Sequence, residues 1–163
     1  MKTNEVIDVV REAFDDAKIN YEYFAEEGVI KTVIQIGGKL GQANVQIDVR
    51  EAGLNLFVIS PVSADKRFLK ELLEFLALVN TEGIIGSFNV DLRNGMIYLK
   101  YNLITLWLES LPKEAVTDIV QAAGNAFWRF GDGIVEVNSG SNDPVSVFTQ
   151  IKTAEHLLFK FKK

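Results

Sequence analysis

Residues 30–60 read IKTVIQIGGKLGQANVQIDVREAGLNLFVIS, and their alternation decides the fold. Val45, Ile47 and Val49 take turns with Asn44, Gln46, Asp48 and Arg50. A period of two is that of a strand with one face buried and one wet. Ile30, Thr32, Ile34 and Ile36 alternate in the same way with Lys31, Val33 and Gln35, and Leu54, Leu56 and Val58 continue the theme. The links between these runs are short and turn-rich, Gly37-Gly38-Lys39-Leu40-Gly41 and Glu51-Ala52-Gly53. Such links join hairpin neighbours. The stretch predicts an antiparallel meander, with Tyr21 to Phe24 as an added edge strand.

Helices flank the meander. Val6, Val9, Val10, Ala13, Phe14 and Ala17 share one arc at 100° per residue, so 5–18 reads as a helix capped by Thr3 or Asn4. In 64–81 the apolar arc is wide, holding Phe68, Leu69, Leu72, Leu73, Phe75, Leu76 and Val79. Leu78 falls on the opposite arc, among Arg67, Glu71 and Glu74, where a leucine is free to touch a partner. A hairpin follows. Phe88, Val90 and Leu92 alternate with polar residues, Asn94-Gly95 suggests a type I′ turn, and Met96 to Tyr101 returns. Leu103 to Leu111 lacks clean periodicity and reads as either a strand extension or a flap over the core. Pro112 opens a third helix whose inner face is Val116, Ile119, Val120, Ala123, Phe127 and Phe130, with Gly131 as its stop. Residues 131–142 read as a loop with a short strand at Ile134 to Val137. Asp143-Pro144 then caps and opens a last helix. The expected fold is α+β in the order α-β-β-β-α-β-β-α, with an extra C-terminal helix and one domain over 1–163.

Composition narrows the function. The chain is 48% apolar and 24% charged, an ordinary globular balance. Its net charge of −5 comes without a basic cluster, which argues against nucleic acid as the main partner. There is no Cys, hence no disulfide, thiolate metal site or Cys nucleophile. The start is acidic and amphipathic rather than signal-like, and no apolar run nears the roughly 20 residues of a membrane span. A cytoplasmic protein is the reading.

Catalytic constellations are hard to assemble. His156 is the single histidine and sits off the apolar arc of its helix. Asp15-Asp16 and Glu26-Glu27 are sequence neighbours whose side chains diverge, so neither pair makes an acid/base dyad. Lys39 among its glycines lacks the spacing and the following helix of a phosphate loop. Asn138 to Asp143 lacks the spacing of a calcium loop. No catalytic, metal or cofactor residue is assigned. What remains is large apolar material that a partner could meet: Phe75 on the wide apolar arc of the second helix and Leu78 on its opposite arc, the cluster Leu106-Trp107-Leu108, and Trp128, off the main arc of its helix. These six are the protein-binding candidates, since Trp is enriched at interface anchors. The tail Phe159-Lys160-Phe161-Lys162-Lys163 is basic and aromatic, a frayed helix end or a weak anchor for an anionic surface.

The residues from about Asp65 to Phe127 carry a resemblance. They include Phe68-Leu69-Lys70-Glu71-Leu72-Leu73, Asn80, Gly86-Ser87-Phe88-Asn89-Val90-Asp91, Asn94-Gly95-Met96-Ile97-Tyr98-Leu99-Lys100-Tyr101 and Leu111-Pro112-Lys113-Glu114. This stretch resembles the YbjN-like domain, and the wider element order is similar to that of type III secretion chaperones. The resemblance implies a non-enzymatic domain that dimerises and binds other polypeptides through apolar patches and added strands, in a group linked to regulation. An acidic surface would suit a basic client. The expected function is therefore a chaperone-like or regulatory protein-binding domain, a homodimer with a polypeptide client. The alternative is a carrier of a small apolar ligand between sheet and helices.

Overall fold

The computed structural model describes residues 1–160. Its elements run α1 (Thr3–Asp16), β1 (Glu22–Phe24), β2 (Val29–Gly37), β3 (Gly41–Arg50), β4 (Gly53–Ser63), a single 3-10 turn (Lys66–Phe68), α2 (Leu69–Val79), β5 (Ser87–Asp91), β6 (Met96–Ile104), α3 (Lys113–Asn138) and α4 (Pro144–Lys160). The strands form one antiparallel sheet in the order β1-β2-β3-β4-β6-β5. The expected α+β order holds. The hairpin of β5 and β6 joins the meander through β6, which leaves β5 at one edge and the three residues of β1 at the other.

Alternation does what it predicts. Ile30, Ile36, Val45, Ile47, Leu56, Val58, Ile97 and Leu99 are buried on the inner face. The helices cover that face. α1 packs on β3 and β4, α3 on β2 and β4, and α2 on β5, while α4 lies against α2 and α3. Phe14, Phe75, Phe127 and Phe130 are almost wholly buried in the core, and Phe88 meets Phe127 edge to face with centroids 4.8 Å apart. Burying one such side chain contributes about 1.5–3 kcal/mol.

Several expectations are corrected. The largest concerns α3, which does not stop at Gly131. It runs through Gly131 and Gly133 to Asn138, so the loop and short strand assigned to 131–142 do not exist as such. These glycines are contact points rather than breakers. A Cβ on Gly131 would lie 2.9 Å from Leu40 Cδ1, and one on Gly133 would lie 2.6 Å from Phe75 Cζ. The first helix starts at Thr3, and the Glu5 carboxylate accepts from the Lys2 amide at 2.7 Å, in place of a Thr3 or Asn4 cap. The hairpin at Asn94-Gly95 is not type I′, because Gly95 has φ +77° but Asn94 has no positive φ. Asp91 and Met96 are paired, so four residues make the loop. The Asp91 carbonyl accepts from Gly95 at 2.7 Å, its carboxylate accepts from the Arg93 amide, and Asn94 Oδ1 accepts from the Met96 amide. Side-chain capping and one left-handed glycine replace the tighter turn. Asp143 does cap α4, accepting from the Ser146 amide at 2.9 Å.

Candidate functional site

The six candidates do not converge. Phe75 is 0% exposed and belongs to the core, locked against Gly133 where α2 crosses α3. That removes it from any partner surface in the folded chain. Leu78 is half-buried, not a protruding leucine on a polar arc. Trp128 is 73% exposed and lies over the turn between β2 and β3, where a Cβ on Gly37 would come within 3.0 Å of its ring. That turn is pinned from behind. The Lys39 amide donates to Asp132 Oδ1 at 2.7 Å, and Lys39 Nζ pairs with Glu136 at 3.0 Å. Lys39 thus anchors a hairpin, as its sequence setting implies.

Leu106, Trp107 and Leu108 lie at the opposite end of the sheet. β6 continues to Ile104, whose register partner is Gly53. The chain then turns, with the Leu108 amide donating to the Thr105 carbonyl at 3.0 Å, and returns to the core at Leu111. So the strand extension is short, and the flap does not cover the core. Trp107 is 81% exposed, Ile104 57%, Leu106 49% and Leu108 36%. The loop is tied down all the same. The Thr105 amide donates to the Ala52 carbonyl, and the Met1 amino group donates to the carbonyls of Thr105 and Leu108 at 3.2 and 3.0 Å. Trp128 sits near one end of β3 and Trp107 near the other. A ten-residue strand spans about 33 Å, so the two indoles cannot share one patch.

The sheet's outer face is the second surface. Register sets its rows: Val33, Asn44, Ile59, Tyr98 and Asn89 in one, Lys31, Gln46, Phe57, Lys100 and Ser87 in the next. These side chains are exposed or half-buried, so the polar side of the alternation faces water. Lys100 Nζ lies 5.6 Å from the Phe57 ring centroid, so a cation covers the one aromatic ring in that row. A cleft of ≈ 900 Å³ opens where this face meets the segment Lys18–Tyr21. A smaller cleft of ≈ 320 Å³ lies on the other side of β2, under α3. Neither was legible as a site. The one hint was Val33, a β-branched residue in the polar row of its strand. Ile104 also belongs with the exposed loop and went unassigned.

Several charged groups are tied into ion pairs between elements. Arg129 on α3 reaches Glu82, just past α2, at 3.0 Å and Glu155 on α4 at 2.6 Å; Lys152 also pairs with Glu82. Hydrogen bonds from Lys152 and then Arg129 hold the Glu82 carboxyl below its ordinary range, and Arg129 does the same to Glu155. The network staples three helices. Asp91 is held down to about 2 by its hydrogen bonds from the Arg93 side chain and amide. His156 is exposed on α4. Among the described residues no group of three or more His, Cys, Asp or Glu could hold a metal, and no helix is long and apolar enough to cross a membrane. The side chains of the Phe159–Lys163 tail lie outside the described residues.

Comparison with known proteins agrees with this architecture. No curated protein matches the chain. The crystal structure of YbjN from E. coli, titled "a putative transcription regulator", superposes with a TM-score of 0.61 over 83% of this chain and 92% of that one, at 12% identity. At that identity the match speaks for the fold. The sequence profile of the YbjN family, described as "Putative bacterial sensory transduction regulator", matches residues 7–136. With most of its length matched, the chain belongs to the YbjN family.

Proposed function

We propose that this chain is a non-enzymatic regulatory domain, one unit over residues 1–163, that acts by binding protein in the cytoplasm as a homodimer. The observation that carries the reading is the loop from Ile104 to Leu108. Four large apolar side chains stand in water there on a backbone fixed by hydrogen bonds, with Trp107 81% exposed. Rigid exposed aromatic groups lose little conformational freedom on binding and make good interface anchors. The loop alone is too small for a stable interface, which needs about 800 Å² per partner. It would form the centre of one, with the neighbouring end of the sheet as rim.

Family and neighbour descriptions both name regulation. For this chain, regulation through protein contacts fits better than direct DNA reading. The net charge is −5, and the outer sheet face mixes Lys31 and Lys100 with Asp48 and Asp91 rather than concentrating cations. A chaperone-like role, as in type III secretion chaperones, is the finer form of the reading, with an extended polypeptide as client. The carrier alternative has less support, because Phe14, Phe75, Phe127 and Phe130 fill the layer a ligand would occupy.

Light scattering over a tenfold concentration range tests the proposal. The native chain should run at twice its 18.2 kDa mass, and Trp107→Asp should run as a monomer with an unchanged circular dichroism spectrum. A native monomer at every concentration, or a Trp107→Asp dimer, would overturn the assignment of this loop.

A further inference from the structure

We propose that the free edge of β2, at Val33 to Ile36, accepts an extended polypeptide segment as an added strand. This rests on the protein-binding reading above but on a different surface. β1 pairs only with Val29, Ile30 and Lys31. Beyond them the chain leaves the line of the sheet, with the Thr32 hydroxyl donating to the Asn20 carbonyl at 2.6 Å. Among the described residues no strand lies on that side of Val33 to Ile36, and none of the backbone hydrogen bonds outside the sheet and helix ladders reaches them. An unpaired edge is a template for another chain.

The other edge differs. Asn80 holds β5 at both backbone groups of Phe88, accepting from its amide at 2.8 Å and donating to its carbonyl at 3.0 Å. A side-chain amide there imitates the next strand. The sheet is closed at that position and open on β2.

Clefts lie on both sides of the open edge. The ≈ 900 Å³ cleft on the outer face and the ≈ 320 Å³ cleft under α3 share Ile19 and Gln35 in their walls. Alternate residues of an added strand point to opposite faces, and residues opposite one another point to the same face. The residue opposite Ile34 would enter the inner cleft, beside Val120 and the bare backbone of Gly124. An apolar side chain fits there. Its neighbours would enter the outer cleft, where Lys18 and Lys31 outweigh Glu22. Acidic side chains fit those positions. The partner is therefore an extended segment with an apolar residue between acidic ones, against the basic client that the net charge of the whole chain suggests.

The test uses the acetylated, amidated peptide Thr-Glu-Val-Glu-Val-Glu-Ser and amide NMR of the full chain. Expected are saturable shifts and slowed hydrogen exchange at Val33 to Ile36. N-methylation of the peptide along the edge that faces β2 should abolish them. Lys18→Glu with Lys31→Glu, both exposed positions, should weaken binding roughly tenfold. The Trp107→Asp variant is titrated in parallel. Peptide pairing on it should persist, so failure of the dimer loop and failure of this edge give different results. No protection at Val33 to Ile36 at millimolar peptide, or binding indifferent to N-methylation, would overturn the proposal. Protection that appears without peptide and grows with protein concentration would also overturn it, by assigning the edge to a second copy.

Discussion

Two alanine substitutions in α3 should move stability in opposite directions, because the glycines they replace do different work. Replacing an interior helix glycine by alanine is worth about 1 kcal/mol in helix propensity. At Gly124 the new Cβ meets one atom, Ile34 Cδ1 at 3.1 Å, the end of a half-buried side chain beside an open cleft. It can shift a few tenths of an ångström, so Gly124→Ala should stabilise by about 0.5–1 kcal/mol. At Gly133 the Cβ meets Phe75 Cζ at 2.6 Å, Val147 Cγ1 at 3.0 Å and Ile151 Cδ1 at 3.1 Å. Phe75 is 0% exposed and has nowhere to go. Overpacking of a filled core costs about 1–3 kcal/mol, which exceeds the propensity gain and leaves a net loss near 1 kcal/mol. Each kcal/mol moves the midpoint of a chain this long by about 2–4 °C. Thermal unfolding by circular dichroism should therefore place Gly133→Ala about 3–8 °C below Gly124→Ala. A Gly133→Ala midpoint equal to or above that of Gly124→Ala would refute the close helix crossing at Phe75.

Other outcomes follow from the hydrogen-bond geometry. Asn80→Ala strips both backbone groups of Phe88, itself 2% exposed, of their partner and should lower denaturant stability by about 1–3 kcal/mol; a loss under a few tenths would show that water replaces the amide. Arg129→Met leaves Glu82 with Lys152 alone and Glu155 with little, for a loss of about 1–3 kcal/mol in urea unfolding at neutral pH. Both carboxyls sit below their ordinary range when folded, so their stabilisation is fully present above that range and is lost as pH falls from it through the lower folded values. The Arg129→Met variant should accordingly show a flatter acid limb than the native chain. Carbon NMR titration should find Asp91 half-protonated near pH 2, and Arg93→Gln should return it toward the usual carboxylate range; an unmoved midpoint would mean the backbone amide alone holds it.

Much of the fold could be read from local pattern, because alternation in 30–60 and the helical arcs at Val6 to Phe14 and Val116 to Phe130 each report burial on one face, although Ala17, placed on the first arc, is exposed beyond the end of α1. Where reading failed, the deciding partner was distant in sequence. Gly131 and Gly133 look like a helix end unless Leu40 and Phe75 are known to press on them. The helical arc already set Phe75 inward and Leu78 outward, but that Phe75 is wholly buried and Leu78 half-buried follows only from the packing of α2 on α3 and α4. The exposed loop was legible as Leu106-Trp107-Leu108 because no period absorbs it. The open edge of β2 was not legible at all. Whether a strand has a neighbour is settled by how far the chain beside it stays in line, and Tyr21 to Phe24 carries no mark of where that line breaks.

The clamp of Asn80 on Phe88 has a consequence for aggregation. A sheet that offers pairing groups at both edges can add copies without limit and grow into a fibre. Here one edge is a five-residue strand already held by a side-chain amide, while the other presents a few free residues beside a bend. Head-to-tail growth requires the two edges to meet, and the clamped one is a poor acceptor. Copies that join through their sheets are therefore favoured open edge to open edge, an arrangement that ends at two.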